Sequence, residues 1–296
     1  MAVARESEVL KEVDSGSSDI KRNGIVLIAG FEQFNILLYR KAAAAVQENV
    51  PDVTISVFTD QDIEEKPEEV QRALDGAKVL FCSLIFDFKQ VQWLVDRIES
   101  VPTRFCFESS LELMSETKVN SFEMKGGGGA PAPVKALLKQ FGSDKEEDKL
   151  QGYLKFLKVG PRLLKWVPIS DGKIADLRCW LTVYARWTEG GLENVTNMLY
   201  QIIQEPSLGL SSTTENERSV EPLHLSPKPK PIVEYPAIGL YHPMQIVAAE
   251  RDLTGNTPSF FATPAEYEKW YTQSHPWVKE STPRVAVLLY RKHVLT

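Results

Sequence analysis

The sequence contains few of the residues from which metal centres and disulfide frameworks are built. Only 3 cysteines and 4 histidines occur among 296 residues. They are Cys82, Cys106 and Cys179, and His224, His242, His275 and His293. The cysteines form no CxxC pair, and the histidines show no HxxE, HxH or HExxH spacing. We therefore assign no metal ligand and no catalytic residue to this chain.

Positive charge and long apolar runs are also scarce. The formal net charge is -6, and the lysines are dispersed among acidic residues, so nucleic acid is not an expected partner. No apolar run approaches the roughly 20 residues that cross a bilayer, which predicts no transmembrane segment. Residues 1–20 are acidic and lack the apolar core of a signal peptide, and we expect a disordered leader.

Nucleotide-binding loops are missing as well. The run Gly126–Gly129 is followed by Ala and Pro instead of the GK[ST] ending of a phosphate loop. The segment Gly24–Gly30 does not match GxGxxG. The sequence therefore gives no support for ATP binding by this chain.

A regular alternation of strand and helix patterns occupies the first part of the chain. Predicted strands over 24–30, 53–58, 77–85 and 104–107 alternate with predicted helices over 34–49, 64–74 and 89–100. This order is typical of an α/β domain with a mostly parallel sheet flanked by helices. We assign residues 21–205 to this head domain. Its second half is predicted to be helical over 134–167 and 192–204, with an apolar, aromatic stretch at 176–186 between them.

A change of composition marks the end of the predicted head. Residues 206–235 are rich in Ser, Lys and Pro, which favours an extended linker. In 236–296, Ala237–Tyr241 and Val285–Tyr290 are predicted strands on either side of a predicted helix containing Glu266–Tyr271. Two strands leave a sheet with open edges. We therefore interpret 236–296 as the beginning of a second α/β domain, truncated, and expect the coding sequence to continue past Thr296.

Three segments of this last region resemble a known family. Ile238–Pro243 reads GxYHP, a helical EYxxWY stretch spans Glu266–Tyr271, and Val287–Thr296 ends in the beginning of RxHxxTG. In this order they resemble the magnesium chelatase H subunit, of the cobaltochelatase large-subunit superfamily. Weaker similarity occurs at Phe81–Phe86, Asn120–Met124, Leu164–Pro168 and Trp187–Asn194.

The resemblance implies a subunit of an enzyme. The family's large subunit binds protoporphyrin IX and receives magnesium for (bacterio)chlorophyll biosynthesis, while motor-type ATPase partner subunits hydrolyse ATP. It implies no cofactor retained by this chain alone, which we expect to be inactive in isolation. The expected compartment is the chloroplast stroma in a photosynthetic eukaryote and the cytoplasm in a bacterium.

Four residues are the predicted porphyrin contacts: Tyr241, His242, Arg291 and His293. Each histidine follows an apolar strand, and ligand crevices form at the carboxyl ends of strands in open α/β sheets. The Arg291 guanidinium matches the geometry of a propionate. The alternative is that each histidine bonds a nearby loop carbonyl. Trp166, Trp180, Trp187, Trp270 and Tyr271 are expected as core or interface anchors, and His224 and His275 as solvated side chains.

Other functions stay open at this point. One is a non-catalytic regulator or porphyrin carrier derived from the H subunit, and another is a cobaltochelatase relative. A receiver-like module is disfavoured because Ala29–Phe31 lacks an acidic pair. A flavodoxin-like module is disfavoured because Phe31–Phe34 is not a phosphate loop.

Overall fold

A six-stranded sheet organises the head. A computed structural model describes residues 23–31, 33–124, 172–208, 210, 227–235, 239–242, 244–245, 248, 260–279 and 282–283. The strands are β1 Asn23–Ala29, β2 Val53–Thr59, β3 Ala77–Ser83, β4 Thr103–Phe107, β5 Lys118–Val119 and β6 Phe122–Glu123. Their order is β2-β1-β3-β4-β5-β6. The first four are parallel to their neighbours, and β5 and β6 add antiparallel pairs at one edge. The predicted α/β class with a mostly parallel sheet is confirmed.

Eight α-helices lie in the described residues. They are α1 Ile36–Asn49, α2 Asp62–Glu65, α3 Pro67–Asp75, α4 Phe88–Val95, α5 Leu111–Ser115, α6 Gly172–Glu189, α7 Gly191–Gln204 and α8 Pro264–Ser274. The single helix predicted over 64–74 is divided into α2 and α3. Pro67 occupies the first turn of α3 and has no N–H to continue α2. Lys66, just before it, takes a non-helical conformation.

Both faces of the sheet are covered, which explains the continuous apolar runs in its strands. Ile25 and Leu27 of β1 face a core that they share with α1, α6 and α7. The alternate residues, Val26 and Ile28, face a second core on the side of α3 and α4. All four side chains are 1% exposed or less. Helices on both faces make the head a three-layer α/β domain.

The long helix α6 fills the first core with two tryptophans. Trp180 and Trp187 are each 1% exposed, so the expectation that they anchor the core is confirmed. The Trp187 ring centroid lies 4.6 Å from that of Phe81 and 4.9 Å from that of Tyr39. Its Nε1 donates a hydrogen bond of 3.0 Å to Ser83 Oγ, which satisfies the one polar atom of the ring.

Residues 227–235, called the strap below, run in an extended conformation against α6 and α7. The Asn194 amide donates to the carbonyl of Val233 at 2.8 Å and accepts from its N–H at 2.9 Å. One turn further, Asn197 Oδ1 accepts from the N–H of Lys230 at 2.7 Å. Arg186 Nη2 donates to the Lys230 carbonyl at 2.6 Å. The described part of the predicted linker is thus hydrogen-bonded to the head.

Several predicted segments lie outside the described residues. They are the leader 1–20, the glycine-rich loop at 126–133, the helices over 134–167 and the strand 285–290. The domain boundaries at 205, 235 and 296 stay predictions. Within the part of the chain that the structure describes, no helix combines the length and apolarity needed to cross a membrane.

Candidate functional site

The helix α8 carries most of the candidate site, and its sequence fixes its start. Thr263 Oγ1 accepts from the N–H of Glu266 at 3.3 Å, and the Glu266 carboxylate accepts in return from the N–H of Thr263 at 3.3 Å. This reciprocal pair is a capping box, and Pro264 follows at the first helical position. The helix has no fully buried residue. Its aromatic side chains therefore stay accessible from one side.

A short antiparallel bridge brings the predicted site residues to α8. Leu240 and Phe261 exchange backbone hydrogen bonds of 2.9 and 2.8 Å. The N–H of Gln245 then donates to the carbonyl of His242 at 2.9 Å and turns the chain. The sequence predicted a strand over 237–241 at the beginning of a second α/β domain; among the described residues, Leu240 makes an isolated antiparallel bridge with Phe261.

His242 lies at the centre of a group of rings, the aromatic–histidine cluster. Its ring centroid is 5.0 Å from that of Trp270, 5.8 Å from Tyr271, 6.2 Å from Tyr267 and 6.4 Å from His275. The members of the cluster are His242, Phe261, Tyr267, Trp270, Tyr271, His275 and Trp277. The spacing of 267, 270 and 271 along α8 places the helical members on one face.

Hydrogen bonds assign opposite tautomers to the two histidines. His242 Nδ1 lies 3.2 Å from the backbone nitrogen of Met244 and accepts from its N–H, so the proton of the neutral ring is on Nε2. His275 Nδ1 lies 3.0 Å from the carbonyl of Tyr271 and donates to it, which leaves Nε2 of His275 as an acceptor. His275 also stacks on Tyr271, with centroids 4.2 Å apart. It is half-buried and packed in the cluster, whereas the sequence predicted a solvated side chain.

The electrostatics of the cluster keep His242 neutral. Burial lowers the pKa of His242 below its ordinary value, and the nearby His275 lowers it further. Burial also raises the pKa of the Tyr267 hydroxyl, with an added contribution from Tyr271. Near neutral pH the cluster therefore presents His242 and Tyr267 as uncharged rings. Such a surface suits a flat, apolar ligand better than a free cation.

A shallow cavity of about 410 Å³ opens beside the cluster. Phe260, Phe261 and Trp270 form its apolar wall, and Lys269 provides a positive charge. This volume lies within the range of about 300–1,000 Å³ that small-molecule sites occupy. Sequence reasoning did not identify Lys269. Its spacing from Glu266 and Gln273 shows only that the three residues share one surface of α8, because i, i+3 and i+4 neighbours lie side by side on a helix.

The structure describes two of the four predicted site residues. Tyr241 and His242 are half-buried beside α8, and the Tyr241 ring lies 6.1 Å from that of Phe260. Arg291 and His293 lie outside the described residues, as do His224 and Trp166. Among the described residues, no group of three or more His, Cys, Asp or Glu side chains is arranged to hold a metal ion.

Two family profiles together cover nearly all of the sequence. The profile named DUF3479, a domain of unknown function, matches residues 24–181, which is more than half of the chain. The profile named CobN/Magnesium Chelatase matches residues 184–296, including the aromatic–histidine cluster. The first profile thus covers the sheet and the first part of α6, and the second covers the last part of α6, α7 and the tail site.

Three curated proteins that are similar to this chain are all named as magnesium-chelatase H subunits. The chain is 29% identical over 279 residues to the magnesium-chelatase H subunit of Chlorobaculum parvum, covering 93% of this chain and 19% of that protein. It is 26% and 24% identical over 212 residues to the H subunits of Cereibacter sphaeroides and Rhodobacter capsulatus, covering 69% of this chain and 16% of each protein. The chain belongs to the family that the DUF3479 profile describes, and over most of its length it is similar to magnesium-chelatase H subunits. It spans less than a fifth of the length of these relatives.

Proposed function

We propose that this chain is the amino-terminal part of a magnesium-chelatase H subunit, which inserts magnesium into protoporphyrin IX while partner ATPase subunits hydrolyse ATP. The observation that supports it is the continuous similarity to the H subunit of Chlorobaculum parvum over 93% of the chain. Magnesium is a substrate in this reaction, and the metal-handling residues are expected elsewhere in the full-length protein. The role of this chain is to bind and to position.

The aromatic–histidine cluster is the part of the chain that we assign to porphyrin contact. A tetrapyrrole is a flat ring with carboxylate side groups, so it needs aromatic faces and a cation. Trp270 and Tyr271 supply half-exposed faces, and Lys269 supplies a charge that can pair with a propionate. His242 Nε2–H supplies a polar contact at the rim, and Tyr241 contributes its ring beside that of Phe260. Arg291 and His293 are retained in this proposal from the sequence alone.

A chimera tests the proposed function. The region of the Chlorobaculum parvum H subunit that aligns with this chain is replaced by this chain, and magnesium protoporphyrin formation is measured with the ATPase subunits present. We expect the chimera to retain activity and a His242→Ala/Trp270→Ala version to bind protoporphyrin more weakly. A chimera that folds, assembles and makes no product would contradict the proposal. The isolated chain is expected to quench porphyrin fluorescence weakly and to insert no magnesium.

A cobalt-inserting relative is the second candidate, because the matching family profile covers both CobN and magnesium chelatase. All three curated relatives above carry the magnesium name, which favours magnesium. Because most of the first chimera comes from the magnesium enzyme, a second chimera in a CobN-type large subunit, assayed for cobalt insertion, is the test that distinguishes the two. Location stays a proposal: the stroma of a chloroplast or the cytoplasm of a bacterium.

A further inference from the structure

Most large apolar side chains that are exposed in the described residues gather at one place in the head. Nine such side chains occur. Six of them lie either in the connection that follows β1, β3 or β4 or in the first two residues of the α-helix after it. These six form what we call the edge patch: Phe31, Phe34, Leu37, Phe86, Phe88 and Leu111, which are 45–73% exposed. The Phe31 and Phe86 rings are 6.1 Å apart. The patch therefore lies at the carboxyl edge of the parallel sheet.

The backbone beneath the edge patch takes unfavourable conformations in three connections. Phe31 after β1, Leu84 after β3 and Glu108 after β4 have φ angles of 51°, 60° and 46°. A left-handed conformation is unfavourable for a bulky residue, and such residues persist where the surroundings determine them and often where function requires them. Phe31 shows this most clearly, since the unfavourable backbone supports a side chain that is 68% exposed.

Hydrogen bonds hold these connections together, so the edge patch is preformed. Gly30 donates to the Ser83 carbonyl at 2.9 Å, and Ser110 donates to the Ile85 carbonyl at 3.0 Å. The N–H of Ile85 donates to Ser109 Oγ at 3.1 Å. A side chain at Gly30 would meet the Leu84 carbonyl oxygen at 2.1 Å, so the two loops are in direct backbone contact. A rigid apolar platform binds without the cost of ordering its loops.

Carboxylates dominate the rim of the edge patch. In the segments that follow β2, β3 and β4 at this end of the sheet, the acidic side chains are Asp60, Asp62, Glu64, Glu65, Asp87, Glu108 and Glu112, and the basic ones are Lys66 and Lys89. Lys66 is already paired with Asp62 at 2.9 Å. Asp87 caps α4 by accepting from two backbone N–H groups, so the positive end of that helix is neutralised. The rim therefore favours a partner with basic residues.

We propose that the edge patch is a docking surface for a basic amphipathic helix of a partner protein. Apolar residues spaced three and four apart on that helix lie over Phe31, Phe86 and Phe88, and its Lys or Arg residues face the carboxylate rim. This surface is separate from the aromatic–histidine cluster and does not depend on the proposed function. The surface lies at the carboxyl ends of β1 and β3, where the strand order reverses and where open α/β sheets form their binding sites.

A fluorescent peptide of Lys and Leu, about four helical turns long and with one apolar face, serves as the probe, and its Glu/Leu counterpart is the control. Anisotropy is expected to show saturable binding of the Lys peptide that weakens about tenfold or more in Phe31→Ser/Phe86→Ser. Leu192→Ser removes an apolar side chain that is 45% exposed on α7, outside the edge patch, and should leave binding unchanged. Equal binding of the two peptides, or binding that the double substitution does not alter, overturns the proposal.

The substitution Phe31→Gly distinguishes an effect on peptide binding from an effect on the stability of the fold. Glycine adopts a φ of 51° without the steric cost that phenylalanine bears, so the melting temperature should stay equal or rise. The same substitution removes the exposed ring and is expected to weaken binding of the Lys peptide. A stable Phe31→Gly chain that binds the peptide as tightly as the original would show that the ring has no docking role.

Discussion

The head and the tail use the same aromatic residue types in opposite ways. Trp187 in the head is 1% exposed and surrounded by rings of the sheet and α1. Trp270 in the tail is half-exposed on a helix without a fully buried residue, with histidine among its neighbours. The difference teaches that aromatic content alone does not indicate a ligand site. Partial exposure together with histidine neighbours is what makes the tail cluster the candidate site.

The strongest test of this difference is to replace one tryptophan in each region by alanine. Trp187→Ala empties a fully enclosed space and leaves Ser83 without its hydrogen-bond donor. We expect a loss of about 3–5 kcal/mol in the free energy of unfolding, measured by chemical denaturation. The large cost follows because a packed core relaxes only partly around a cavity.

Trp270→Ala is the matched control in the tail. A half-buried ring forfeits less burial than an enclosed one, so the free energy of unfolding should fall by less than in Trp187→Ala. Porphyrin binding should respond in the reverse order, with Trp270→Ala weakening it more than Trp187→Ala at temperatures where both fold. Equal destabilisation by the two substitutions would show that the cluster is a structural core.

A second prediction concerns the strap that joins the two regions. Asn194 is 0% exposed and exchanges two hydrogen bonds with Val233. Asn194→Ala leaves buried backbone groups without partners, which costs about 1–3 kcal/mol. Hydrogen exchange at the Val233 amide should become faster, and the free energy of unfolding of the head should fall.

Gln204→Ala is the control for the strap. Gln204 donates to the Pro227 carbonyl at 2.8 Å, but this hydrogen bond is exposed and water can replace it. The substitution should leave exchange at Val233 nearly unchanged. Faster exchange in Gln204→Ala than in Asn194→Ala would mean that the strap is held from its amino-terminal end instead.

The head could be predicted from sequence because its signals are local and repeated. Strands buried on both faces appear as continuous apolar runs, and each is followed by a helical pattern, so β1 to β4 were identified. The break between α2 and α3 was missed although Pro67 marks it. The two-residue strands β5 and β6 are too short to carry a pattern, and their pairing depends on contacts with β4 and α6.

The site was only partly predictable because it depends on tertiary contacts. His242 was selected for following an apolar run, yet what defines its environment is α8, which begins further along the chain at Pro264. Neither His275 nor Lys269 carries a motif. Their roles come from the position of the bridge between Leu240 and Phe261. Sequence spacing shows which residues of α8 share a face, but not which segment packs against that face.

A third prediction tests how the tail helix is held. Thr263→Ala removes the side-chain acceptor of the capping box and should destabilise α8 by about 1 kcal/mol. Hydrogen exchange of the Glu266 amide, which loses its partner, is the measurement. Thr272→Ala is the control in the same helix, because Thr272 Oγ1 donates to a carbonyl that is already in the helix ladder. Similar changes in the two variants would contradict a specific cap.

The smallest expected effect is the titration of His242. Its pKa lies below the ordinary value of 6.5, because burial and His275 disfavour the charged ring. Between the lowered pKa of His242 in the folded chain and the ordinary value of 6.5 in the unfolded chain, the unfolded chain binds more protons than the folded one. The contribution of His242 to stability is therefore complete above pH 6.5 and decreases as the pH falls towards the folded pKa.

NMR titration of the imidazole protons measures this pKa directly. In His275→Asn the pKa of His242 should rise towards 6.5, since the neighbouring positive charge is removed. Tyr271 keeps its ring in that variant, so most of the burial around His242 remains. A His242 pKa at or above 6.5 in the original chain would mean that the ring is solvated and that the cluster does not form as described, which would remove the contrast between the tail and the head.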